Sequence, residues 1–198
     1  MLETASNSLA DDVRVDTEIR YGRPIYNILR VAEDENVDQI VMGSHGREGA
    51  RRLLLGSVAE SVTRRASVPV TIVRELVTED EEPTHILVPF DGSDESLQAL
   101  SYALEQYADR EITALYVAYP SEEVTAADSE RIPDALDDWQ QRLDEQTQEV
   151  LDRALEHAEA NGYTISTEAV RGEPAREITE YAAEHDSDHI VMGSHGRG

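Results

Sequence analysis

The seven residues VMGSHGR occur twice, at Val41 to Arg47 and at Val191 to Arg197. At an offset of 150 residues the agreement runs upstream without a gap: TEIRYGRPIYNILRVAEDENVDQIVMGSHGR (Thr17 to Arg47) lies on TEAVRGEPAREITEYAAEHDSDHIVMGSHGR (Thr167 to Arg197). Gly22/Gly172, Pro24/Pro174, Ile28/Ile178, Ala32/Ala182 and Asp38/Asp188 are identical across the offset. A period that long is a whole domain and not a solenoid module. The 198 residues hold about one and a third periods, so the expectation is a tandem two-domain protein cut at both ends.

Periodicity fills in the units. From Pro83, His85 to Phe90 is an apolar strand-like run ending in the turn cluster Asp91-Gly92-Ser93, and Leu97, Leu100, Leu104 and Tyr107 follow at helical spacing. Ile112 to Tyr119 predicts a second strand. A long helix is predicted from Asp134, with Leu136, Trp139, Leu143, Val150, Leu151, Ala154 and Ala158 on one stripe and Asn161-Gly162 as a left-handed stop. Tyr163 to Val170 reads as a third strand, Pro174 to His185 as a helix with proline in its first turn, and Ile190 to Met192 as a fourth strand. The earlier copy supplies the matching strand at Val13 to Ile19, helix at Pro24 to Glu35 and strand at Gln39 to Met42. It then adds a helix from Ser57 to Ala66 and a fifth strand, Val68 to Val73. Strands alternating with crossover helices imply an α/β, Rossmann-like fold with a parallel sheet covered on both faces. The expected division is 1–74 as the end of a first domain, 75–84 as an acidic linker, and 85–198 as a second domain lacking its last helix and strand.

Composition narrows the chemistry. The net charge is −25, and all 17 basic residues are arginine, so no lysine-dependent phosphate loop is present. The acidity, with a pI near 4.4, suits a salt-rich cytoplasm and a halophilic source, where screening relieves self-repulsion. It also argues against binding nucleic acid or anionic membranes. The absence of cysteine removes disulfides, thiolate nucleophiles and cysteine metal sites. No apolar stretch spans a bilayer and Met1 opens no signal peptide, so a cytoplasmic location is expected.

After the strand at Gln39 to Met42 comes Gly43-Ser44-His45-Gly46, then nine residues, then Gly56-Ser57 at a helix start. Closely spaced glycines let backbone approach a ligand, and free N–H groups at a helix start favour phosphate. Arg47, Arg51 and Arg52 add positive charge inside this loop. His45 and His195 have no second ligand at metal spacing and read as loop histidines. Arg64 and Arg65 read as cations that favour a helix C-terminus, and Trp139 as core or subunit contact.

With VMGSHG at both sites, the Gly43, Gly46, Gly56, Ser57 frame and ILVPFDGS at Ile86 to Ser93, the chain resembles universal stress proteins of the ATP-binding type, in tandem. The resemblance implies a fold like that of the adenine nucleotide alpha hydrolases: five parallel strands in the order 3-2-1-4-5, with nucleotide at the switch point between strands 1 and 4. It implies that Pro89, Asp91 and Val117 hold adenine and ribose. Met42, Gly43, Ser44, Gly46, Arg47, Gly56, Ser57 and Val58, with Met192, Gly193 and Gly196 in the second copy, would serve ribose and phosphates. ATP is the implied ligand, with accompanying magnesium left open. Self-association is expected at Val68 to Val73, as a homodimer or an intramolecular pseudo-dimer.

The function implied is regulation by nucleotide occupancy, with slow hydrolysis compatible and no arranged catalytic residues. The alternatives are a scaffold of the same fold that binds no nucleotide, and an adenylating enzyme of the ATP-pyrophosphatase type. The latter lacks its paired glycines here, because Asp91-Gly92-Ser93-Asp94-Glu95-Ser96 follows strand 1. Neither copy holds a whole site, which leaves a composite site and two open half-domains as alternatives.

Overall fold

The structure, a computed structural model, describes residues 14–44, 55–73, 83–119 and 133–194, with residues 133–140 described by their backbone alone. The chain divides into two compact units, Met1–Leu76 and Val77–Gly198.

In the first unit, α1 (Pro24–Asp34) leads to β1 (Ile40–Gly43), and α2 (Ser57–Thr63) leads to β2 (Val70–Val73). Proline opens α1 because its missing N–H is no loss in a first turn. Strands β1 and β2 pair in parallel, Ile40 with Val70 through Gly43 with Val73. The crossover helix α2 buries Ala59 and Val62. The strand predicted at Val13 to Ile19 does not form: described residues 14–20 have no regular structure, and Ile19 is 66% exposed. Its counterpart in the second unit is a strand because a neighbour satisfies its backbone groups. No described strand in the first unit does so, and the chain keeps those groups in water.

The second unit runs β3 (His85–Pro89), α3 (Asp94–Gln106), β4 (Glu111–Ala118), α4 (Pro133–Ala160), β5 (Ser166–Arg171), α5 (Pro174–Glu184), β6 (His189–Ile190). Its parallel sheet has the order β5-β4-β3-β6. This matches the 3-2-1-4 portion of the expected sheet. The predicted third strand begins three residues late, at Ser166, where the ladder to Thr113 starts. The fourth is short, although Val191 N–H still donates to Leu87 O at 2.9 Å.

Alternation along β3 and β4 sends Ile86, Val88, Phe90, Ile112, Ala114 and Tyr116 into one core under α3 and α4. From α4 come Leu143, Val150, Ala154 and Ala158, all buried. Full burial of a Leu or Val side chain contributes about 1.5–3 kcal/mol, which anchors a helix whose outer face is almost wholly polar. Helix α4 stops as predicted. Gly162 has φ +83, its N–H donates to Glu159 O, and Tyr163 N–H donates to Ala158 O, satisfying two terminal carbonyls. The repeated helices α1 and α5 end alike without glycine. Asn36 and Asp186 both take φ 49, and the next residues, Val37 and Ser187, donate to Ala32 O and Ala182 O.

Candidate nucleotide site

In the second unit the chain order reverses between β3 and β6, since β3 leads to β4 on one side while β6 joins on the other. In open α/β sheets, ligands bind outside the carboxyl ends of the strands at such a reversal. Pro89 ends β3, and Asp91 follows on its turn. Val117 lies next to last in β4, and Met192 follows β6. By alternation these four share the sheet face opposite the α3 and α4 core. Pro89, Asp91 and Val117 are each part-exposed although both chain neighbours of each are buried, and Met192 is 59% exposed. These four residues are thus solvent-accessible points on that face, at the ends of these strands.

Asp91 also has a local role. Its Oδ1 accepts from Ser93 N–H at 2.9 Å and from the Ser93 hydroxyl, and Ser93 Oγ in turn accepts from Ser96 N–H at 3.2 Å as the cap of α3. Gly92 supplies the positive φ of +77 that the turn needs. Arg153 of α4 donates to Gly92 O and lies 3.7 Å from Asp94, fixing the turn from a distant part of the chain. No sequence signal marks Arg153, because it sits 61 residues from Gly92. Gly193 closes the other side. A Cβ there would lie 2.8 Å from Glu95 Cβ and 2.9 Å from Glu95 O, so the backbone after β6 rests directly on the first turn of α3.

A carboxylate ties the bottom of the same strand pair. Asp188 Oδ2 accepts from Thr84 N–H at 2.7 Å, Thr84 Oγ1 at 3.0 Å and His85 N–H at 2.9 Å. Hydrogen bonds from the His85 and Thr84 backbone hold its pKa below the usual carboxylate range.

In the first unit β1 carries Met42 and Gly43, and Ser44 follows, 6% exposed. Ser44 N–H donates to Val73 O at 2.9 Å, and Ser44 O accepts from Gly56 N–H at 2.8 Å, closing the glycine loop at its base. Gly56 is the N-cap of α2 and Ser57 its first residue, followed by Val58. Gly46, Arg47 and Gly196, with His45, His195 and the Trp139 side chain, lie outside the described residues.

Among the described residues no group of three or more His, Asp or Glu side chains could hold a metal ion. The Ser101 hydroxyl lies 2.7 Å from His157 Nε2, a nucleophile-and-base pairing on its face. The same hydroxyl lies 2.9 Å from Leu97 O, the i−4 back-bond common to serine in helices. The pair is a contact between α3 and α4. Among the described residues, no helix is long and apolar enough to cross a membrane.

The sequence profile of the Universal stress protein family matches residues 2–74 and again 83–198. A universal stress protein of Mycobacterium tuberculosis is 27% identical over 198 aligned residues, covering 93% of this chain and 60% of the relative. One from Methanocaldococcus jannaschii is 40% identical over 74 residues, 37% of this chain and 46% of the relative. The chain thus spans about 60% of the length of the mycobacterial relatives it matches. A solved universal stress protein from Archaeoglobus fulgidus superposes with a TM-score of 0.60 at 24% identity, over 89% of this chain and 56% of that one, a likeness of fold. With two matches that together span nearly all of its residues, the chain belongs to the Universal stress protein family, in tandem form.

Proposed function

We propose that the protein binds an adenine nucleotide, ATP by preference, at the β3/β6 crevice, and that occupancy regulates it rather than driving rapid turnover. The observation that carries this reading is the partial exposure of Pro89, Asp91 and Val117 between buried neighbours, on one face at a topological reversal. Val117 and Pro89 offer apolar contact for a purine, and Asp91 a carboxylate acceptor for a ribose hydroxyl or the purine amino group. Met192 and Gly193 follow β6, and Gly196, further along the sequence, is proposed to serve with them. The first copy's Met42, Gly43, Ser44, Gly46, Arg47, Gly56, Ser57 and Val58 are proposed to serve ribose and phosphates in the same way.

We assign residues 1–74 and 85–198 to parts of two domains joined by 75–84, with Val68 to Val73 as the surface of self-association and the cytoplasm as the location. In the experiment, ATP is titrated calorimetrically in molar KCl, with and without magnesium, into the wild type and Asp91→Ala. Saturable binding that weakens about ten-fold or more, about 1.4 kcal/mol, in the variant is expected. Undiminished binding in Asp91→Ala would remove the crevice from consideration, and release of ADP or pyrophosphate at enzymatic rates would replace regulation with catalysis.

A further inference from the structure

The 17 arginines face 42 carboxylates, and most described arginines sit on one. Arg30 meets Asp34 at 3.2 Å, Arg64 meets Glu60 at 3.0 Å and Arg171 meets Asp144 at 2.7 Å. Arg23 and Arg65 are exceptions whose guanidinium groups make no ion pair or hydrogen bond with any described residue. Both line one groove of about 630 Å³ within the first unit. A groove of that volume falls in the range of small-molecule sites. Its floor is apolar and aromatic, made by Ile25, Leu29 and the 60% exposed ring of Tyr26. Arg30 adds a third guanidinium, already engaged with Asp34, and Glu33 is the other acidic lining residue.

The repeat provides an internal control. At an offset of 150 residues, Arg23 and Arg30 become Glu173 and Glu180. Glu173 caps α5, accepting from Ala175 N–H at 3.3 Å and Arg176 N–H at 2.9 Å. Arg23 occupies the same N-cap position on α1 with no side-chain cap bond, and it places a cation at the helix end where the dipole disfavours one. The first copy thus gives up a cap and keeps two unpaired cations together, in a unit where 12 carboxylates stand against 10 arginines. A local rule broken without local compensation is the mark of a functional position.

We propose that the groove binds a small organic anion, its phosphate or carboxylate held by Arg23 and Arg65 and its apolar or aromatic body laid on Tyr26, Ile25 and Leu29. This does not rest on the nucleotide reading, since the groove belongs to the first unit and the crevice to the second. In the test, phenyl phosphate, benzoate and inorganic phosphate are each titrated into the full chain at moderate KCl, followed by amide and tyrosine resonances. Saturable binding of phenyl phosphate or benzoate is expected, tighter than inorganic phosphate, with the larger shifts in α1 and at Tyr26. The tighter of the two organic probes identifies the head group. Arg23→Glu restores the residue of the second copy; it should weaken binding about ten-fold while leaving the thermal midpoint unchanged or raised, which separates loss of the site from loss of the fold. Arg65→Ala should weaken it as well. Saturation by none of the probes, or affinity that survives both substitutions, would overturn the proposal.

Discussion

Asp38 and Asp188 are the same residue in the repeat and do different work. Asp188 receives three hydrogen bonds from Thr84 and His85, whereas exposed Asp38 makes no hydrogen bond or ion pair with any described residue. Because backbone donors depress the folded pKa of Asp188, its contribution to stability is complete above the unfolded value of about 3.9 and is lost as pH falls through the lower folded value. Replacing Asp188 by Ala should therefore cost about 1 kcal/mol at neutral pH, given that the carboxylate is exposed and screened. The midpoint would fall by about 2–4 °C, and the gap from wild type should close as the solution is acidified below that window. Asp38→Ala should be nearly neutral at every pH. A gap for Asp188→Ala that stays constant into strong acid would refute the linkage. The identity of the two aspartates was legible in the sequence. That only one of them meets a strand was not, because the partners lie 103 and 104 residues away.

The five residues Ile-Val-Met-Gly-Ser occur at Ile40 to Ser44 and at Ile190 to Ser194, and each copy uses a different edge. Ile40 and Ser44 donate to Pro69 O and Val73 O, which turns the N–H of Val41 away from β2. Val191, at the position equivalent to Val41, donates to Leu87 O. Proline at these equivalent positions should act unequally. Val191→Pro deletes a ladder bond and should cost about 1–3 kcal/mol in urea unfolding, while Val41→Pro deletes none of the bonds between β1 and β2. Equal losses would show that the two ladders had been assigned wrongly. Helices α1, α3, α4 and α5 could be read from proline, glycine and apolar spacing because those signals are local. The strand expected at Val13 to Ile19 could not, because a strand needs a neighbour and periodicity carries no information about one.

Of the charge of −25 on 198 residues, −23 falls on Val77–Gly198 and only −2 on Met1–Leu76, so self-repulsion at low ionic strength opposes the compact state of the second unit above all. The thermal midpoint should rise steadily as KCl is increased from about 0.1 M toward 1 M, as the screening length falls from ~10 Å to ~3 Å. A midpoint indifferent to salt would mean that the acidic surface is locally neutralised by its arginines. The parallel sheet and its order were legible from strand-helix alternation and the family resemblance. The arginine groove was not. Arg64 and Arg65 look equivalent in sequence, and only the packing of α2 beside α1 sends one to Glu60 and the other into the groove.

Gly193 rests its backbone on Glu95. The gap between the two banks of the proposed β3/β6 site is gauged by main chain resting on main chain, while the side chains proposed to line it are those of Asp91, Val117 and Met192. Size and selectivity are therefore independent variables in this architecture: the lining can be rewritten through many substitutions while the aperture stays constant, so long as one position keeps no side chain at all.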